Sequence, residues 1–127
     1  MYDPSILDAE TGQIQLNFDG KTLTAEHIVA GYLNMLYRAS IKSLLEPGEL
    51  VLVTHPVGAP ESMKQALQKA CAIARIDAQL VCEGVATVNG YLYNKKQEIL
   101  NIRGSRTVAF IDIGHSTTSV TVATFRG

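Results

Sequence analysis

Residues Val108 to Gly127 set one carboxylate, Asp112, at the end of an apolar run and just before a small polar turn, Gly114-His115-Ser116-Thr117. A second run, Ser119 to Phe125, alternates Val120, Val122 and then Phe125 with threonines. The pattern predicts strand, acidic residue, turn, strand. Small side chains in such a turn let backbone N–H groups and hydroxyls come close to a phosphate. A carboxylate beside it can hold a hydrated magnesium ion, which prefers oxygen donors and keeps much of its water. The same spacing also describes an ordinary β-hairpin with a polar turn. Spacing alone leaves both readings open.

Other reactive side chains are sparse. The three histidines, His27, His55 and His115, show no metal-ligand spacing. The two cysteines, Cys71 and Cys82, form neither a CxxC motif nor a disulfide framework. Both fall on apolar faces, where cysteine acts as a small hydrophobe, and their number points to a reducing cytoplasm. Net charge is −1, and no Lys/Arg block exists, so neither nucleic acid nor an anionic membrane is an expected partner. No apolar run is long enough to span a bilayer, and no signal peptide is evident at Met1. With 127 residues, 46% hydrophobic and 18% charged, the chain can build one modest core.

The elements that must position these residues alternate between helix and strand. Ile14, Leu16 and Phe18 alternate with polar residues before an Asp19-Gly20 turn. Thr24 suits a helix N-cap, with Glu26 in the first turn. Val29, Tyr32, Leu33, Leu36, Tyr37, Ile41 and Leu44 form a helical stripe to about Leu45, which Pro47-Gly48 ends. Leu50 to Thr54 is a continuous apolar run, as in a strand buried on both faces. Pro60 suits the first position of a helix, with Met63, Ala66, Leu67, Ala70 and Ala74 inward. Ala78 to Cys82 is a third strand, Val85 to Asn94 a helix, and Lys95 to Ser105 a polar connector. Such alternation implies parallel strands joined by crossover helices.

The C-terminal hairpin resembles the second phosphate-binding hairpin of the heat-shock chaperone ATPases of the actin-like superfamily. Common seventy-kilodalton members carry Asp-Leu-Gly-Gly-Gly-Thr there. The Asp112-Ile113-Gly114-His115-Ser116 form is similar to that of the larger, one-hundred-and-ten-kilodalton branch. Val53-Thr54-His55-Pro56, Ser62 to Ala74, and Leu80-Val81-Cys82-Glu83 also resemble the family's Val-Thr-Val-Pro strand, its following helix and its Asn-Glu-Pro-Thr strand end. The two stretches cover roughly half of the chain. Gln13 to Leu45 is compatible with the family but less specific.

The resemblance implies an α/β chain with a partial ribonuclease-H-like (actin-like ATPase) fold: a mixed sheet with crossover helices plus a C-terminal β-hairpin. Residues 1–105 would belong mostly to the first lobe, and 106–127 to the second lobe's phosphate hairpin. Asp112 would bind magnesium through water, or cap the turn. Gly114, His115, Ser116 and Thr117 would border the phosphates of ATP, although His115 and Ser116 crowd a turn that is glycine in common members. Ser119 stands where those members have an acidic residue, which bears on metal coordination and hydrolysis. Glu83 aligns with the family's catalytic glutamate, whose carboxylate holds magnesium's water or orients the attacking water. It equally fits a helix N-terminal Glu favoured by the helix dipole. Gly84-Val85 replaces Pro-Thr, which should loosen that helix start. Pro56 resembles the family's relay proline, or simply ends a strand. Lys64 matches the neighbouring relay arginine in charge only.

The expected parent is therefore a chaperone ATPase, or a nucleotide-binding co-chaperone that exchanges nucleotide on common members. ATP and magnesium would be its cofactors, and unfolded clients or partner chaperones its partners. A sugar-kinase or actin relative, or a non-catalytic interaction module, is the alternative. The chain resembles a piece of a larger nucleotide-binding domain. Alone it is expected to bind ATP weakly, to lack activity and to self-associate. Its hairpin is expected to pair beside Leu50 to Thr54, within one chain or by exchange between two. The eleven-residue connector could reach about 35 Å when extended.

Overall fold

A computed structural model describes residues 14–41 and 50–126. The expected helix end at Leu44–Leu45 and the stop at Pro47-Gly48 lie outside them. The architecture is mixed α/β with small sheets and a C-terminal antiparallel hairpin, consistent with a partial actin-like ATPase fold. Two compact units share the chain: Met1–Leu52 with Pro60–Gln79, and Val53–Ala59 with Leu80–Gly127.

In the first unit, strands β1 (Gln15–Phe18) and β2 (Lys21–Thr24) form an antiparallel pair. The connecting residues Asp19 and Gly20 both have positive φ, 50° and 72°. A two-residue hairpin turn demands this, and Asp and Gly tolerate it. Helix α1 (Ala25–Ile41) follows directly. Thr24 holds the expected N-cap position before it and pairs with His27: the hydroxyl and Nδ1 lie 2.9 Å apart, and the Thr24 N–H donates to Nδ1 at 3.4 Å. Histidine thus takes the place that Glu or Gln fills in a capping box.

Helix α2 (Glu61–Ile73) packs against α1 through alanines. Ala30, Ala70, Ala74 and Ile76 are buried, with Leu33, Tyr37, Val51 and Ala78 packed around them. Asn34 Nδ2 adds a hydrogen bond to the Ala74 carbonyl at 3.1 Å, and Lys69 pairs with Glu26 at 3.3 Å. Among the described residues of the expected stripe, Leu33 and Tyr37 pack on this core, while Val29, Tyr32 and Leu36 are exposed. Small residues decide which face is inside, because only a face without bulk lets two helix backbones approach closely. On α2, Met63 is likewise exposed while Ala70 and Ala74 are buried. Pro60, expected as the first helical residue, is instead the N-cap, and Glu61 begins the helix.

The end of α2 carries no glycine, yet Arg75 enters the left-handed region at φ 57°. The Ile76 N–H bonds the Cys71 carbonyl at 3.0 Å and the Arg75 N–H bonds that of Ala72 at 3.0 Å, the pair that defines a Schellman cap. Burial beside this cap pushes the Cys71 thiol up from its ordinary value, so Cys71 is a packing residue.

Strand β3 (Val51–His55) pairs with β4 (Ala78–Cys82). β4 has the predicted bounds. β3 is not buried on both faces as expected: Leu50 and Leu52 are 58% and 56% exposed. A two-stranded sheet has only one covered face to offer. In the second unit follow helices α3 (Glu83–Asn94) and α4 (Lys96–Leu100), then strands β5 (Ser105–Ile113) and β6 (Thr118–Arg126). The expected polar connector therefore contains a short helix, anchored by buried Ile99. β5 pairs along its whole length with β6, and each two-stranded sheet is complete in itself among the described residues. The expected intrachain pairing of the hairpin beside Leu50 to Thr54 is thus not formed; β4 is the partner that β3 takes.

Two outcomes follow from these contacts. Arg75→Gly should stabilise the chain by about 1 kcal/mol, because glycine occupies the left-handed region without a Cβ clash; a lower denaturation midpoint would contradict this. Glu26 is held at a pKa of about 2, first by the Thr24 hydroxyl, then by its own backbone N–H and by Lys69. Its folded value lies below the unfolded one, so its contribution is complete above the ordinary carboxylate pKa and is lost as pH falls toward 2. Glu26→Gln should flatten that part of an acid-denaturation curve.

Candidate functional site

In the second unit, α3 lies against one face of the hairpin. The four-residue turn Gly114–Thr117 sets the register, so Asp112 stands opposite Ser119 and Phe110 opposite Thr121. Strand alternation puts these four side chains on one face with Val108, Ala123 and Phe125. Tyr91 of α3 meets that face, edge-on to Phe110 at 5.3 Å between ring centroids and tilted against Phe125 at 5.5 Å. Phe125 is buried. The opposite face carries Ile111, Val120 and Val122, all more than half exposed.

Nearer the turn, the same two elements part into a cleft of about 360 Å³. Glu83, Gly84 and Thr87 line it from α3; Phe110, Ile111, Asp112, Ser119 and Thr121 line it from the hairpin. The two predicted carboxylates, Glu83 and Asp112, therefore share one cleft. Asp112 is exposed and lies inside β5, one residue before its end. Glu83 is half-buried and is the first residue of α3, two residues before the predicted helix start. Its Oε1 accepts the Val57 N–H at 3.0 Å. This bond ties α3 to a turn in which the Ala59 N–H bonds the Pro56 carbonyl at 3.2 Å and Gly58 supplies the positive φ of 73°. One Glu83 oxygen thus fastens a loop.

The helix start is also tighter than the Gly84-Val85 pair suggested. Gly84 is buried, and a Cβ there would collide with the Thr121 hydroxyl and press on Thr121 Cγ2 and Val57 Cγ2, each at 3.2 Å.

The remaining predicted residues lie elsewhere. Gly114, His115, Ser116 and Thr117 are exposed in the turn and do not line the cleft. Gly114 is needed for a close approach, but to the chain itself: its N–H bonds the Thr117 carbonyl at 2.9 Å, and a Cβ would meet that oxygen at 3.2 Å. Pro56 begins the turn after β3, where His55 Nδ1 donates to its carbonyl at 3.0 Å. Lys64 belongs to the first unit and pairs with Glu61 at 3.3 Å. Thr87, Phe110 and Thr121 were not anticipated. The four-residue turn would have revealed the last two, because it fixes which residues face Asp112.

The ligand atoms that the cleft offers are oxygens, the carboxylates of Glu83 and Asp112 with the hydroxyls of Ser119 and Thr87, while the Thr121 hydroxyl faces Gly84. That set suits a hard cation keeping several waters, such as magnesium. Among the described residues, no group of three or more His, Cys, Asp or Glu side chains could hold a metal ion. No described helix is long and apolar enough to cross a membrane.

Replacing Tyr91 by Ala should detach the hairpin from α3, since it deletes the ring that meets both phenylalanines. A loss of about 3 kcal/mol is expected, with faster amide exchange along β5 and β6; unchanged exchange there would mean that the hairpin is held by other contacts. A model of the Hsp70 protein family matches residues 2–127.

Proposed function

The chain belongs to the Hsp70 family, and from that premise we propose that its Glu83–Asp112 cleft forms part of a magnesium–nucleotide site. The family comprises molecular chaperones that bind nucleotide, typically ATP with magnesium, and client proteins. The observation that carries the reading is the meeting of two distant predicted carboxylates in one oxygen-lined cleft. Asp112, exposed at the hairpin end, would hold a magnesium-bound water. Glu83 would offer the oxygen not engaged by Val57. The metal, when bound, would neutralise phosphate charge. The turn Gly114-His115-Ser116-Thr117 would border the phosphates of ATP or ADP. Pro56 and Lys64 would act in relaying the state of the site.

Within the family we place the chain in the larger, nucleotide-exchanging branch of the actin-like ATPase superfamily. The support is Gly114-His115-Ser116 in the phosphate turn and Ser119 opposite Asp112, where a third carboxylate would otherwise strengthen metal coordination. Residues 1–105 then belong mostly to the first lobe and 106–127 to the second. Its two free cysteines accord with a reducing, cytoplasmic compartment.

The test is Asp112→Asn in the full-length protein. Magnesium–nucleotide affinity should fall about tenfold to a hundredfold, the usual cost of altering a group that orients a metal's shell. Equal affinity at fixed magnesium would assign Asp112 to the turn alone.

A further inference from the structure

We infer that Gly84 and Thr121 form a matched steric pair that positions Glu83 in the cleft, so that residue 84 must lack a side chain because residue 121 carries two branches. Gly84 is a buried glycine with helical backbone, so the left-handed region does not explain it. What excludes a side chain is space. A Cβ at 84 would strike the Thr121 hydroxyl first, then Thr121 Cγ2 and Val57 Cγ2 at 3.2 Å. Of these, the hydroxyl and Cγ2 belong to a β-branched side chain on a strand paired across to Phe110, with little freedom to turn away. The only other relief is to move the first turn of α3 off β6. That movement carries Glu83, the neighbouring residue, and stretches its 3.0 Å bond to the Val57 N–H. Gly84, Thr121 and Glu83 all line the same cleft, so the pair also sets the spacing between the wall bearing Glu83 and the wall bearing Asp112.

Gly84 and Thr121 are positioning residues in this account; neither supplies a ligand that the cleft requires. The functional consequence rests on the reading of the cleft as a cation site, whereas the geometric one does not. Two measurements separate them. Amide exchange at Val57 reports the position of Glu83. Manganese binding, read by water relaxation with Glu83→Gln as the reference for loss of the carboxylate, reports the site.

Gly84→Ala should speed exchange at Val57 by about fivefold to tenfold, as for loss of one hydrogen bond. Thr121→Ala alone should leave it within about twofold, and Gly84→Ala/Thr121→Ala should restore it, a non-additivity expected only of touching residues. Manganese affinity should follow the same order. Thr121→Val keeps both branches and should not rescue Gly84→Ala. A Gly84→Ala chain that fails to fold while the double variant folds supports the pairing; failure of both overturns it. Unchanged Val57 exchange in Gly84→Ala, or purely additive effects in the double variant, also overturns it. Should the wild-type chain bind no manganese while Val57 exchange follows the expected order, the positioning pair stands and the cation reading falls.

Discussion

The structure of the second unit depends on how closely α3 can lie on the hairpin. Two contacts set that distance by opposite means. At the helix start, a missing side chain lets backbone approach strand, with Gly84 against Thr121. Two turns later, a large side chain fills the gap, with Tyr91 between Phe110 and Phe125. The cleft holding Glu83 and Asp112 opens beside the Gly84–Thr121 contact. Interiors are packed too densely for such a spacing to drift, so the carboxylates inherit their positions from apolar contacts that take no part in binding.

The first unit solves its packing with small residues throughout. Ala30, Ala70 and Ala74 meet with almost no exposed surface, and the larger side chains surround them. This explains why hydrophobic periodicity located α1 and α2 and the inward Ala70 and Ala74, but set Val29, Tyr32 and Leu36 of α1 and Met63 of α2 inside when they are exposed. Periodicity weights Val29, Leu36 and Met63 above alanine, whereas close approach of two helices favours the reverse. The cap at Arg75 escaped notice for a related reason. Its hydrogen-bond pattern needs a left-handed residue, and glycine is the usual sign of one.

Much of what positions the site was legible. The bounds of β4, the N-cap position at Thr24, and the strand–turn–strand from β5 to β6 all follow from local rules about alternation, capping and turn chemistry. That the chain is a mixed α/β member of its family followed from two motif stretches. The helix start at Glu83 did not. Gly84 reads as a loosening residue in sequence because its value lies in what it fails to touch, and only the position of Thr121, 37 residues later, shows that. The burial of Ile99 inside an otherwise polar connector was hidden in the same way, since one apolar residue carries no period.

Glu83 joins these observations. Of its two sequence readings, the helix N-terminal carboxylate is borne out, while the metal-site carboxylate belongs to the function proposed above. As the first residue of α3 it sits where the helix dipole favours negative charge. Its Oε1 is already engaged by the Val57 N–H, and that bond fixes the direction of the second oxygen. A carboxylate on a freely rotating side chain would lose entropy on meeting a cation. One held by a backbone donor has lost most of it on folding. Under the proposed function, the bond that anchors the Val57 loop would therefore also hold Glu83 ready for a cation, one geometry serving both.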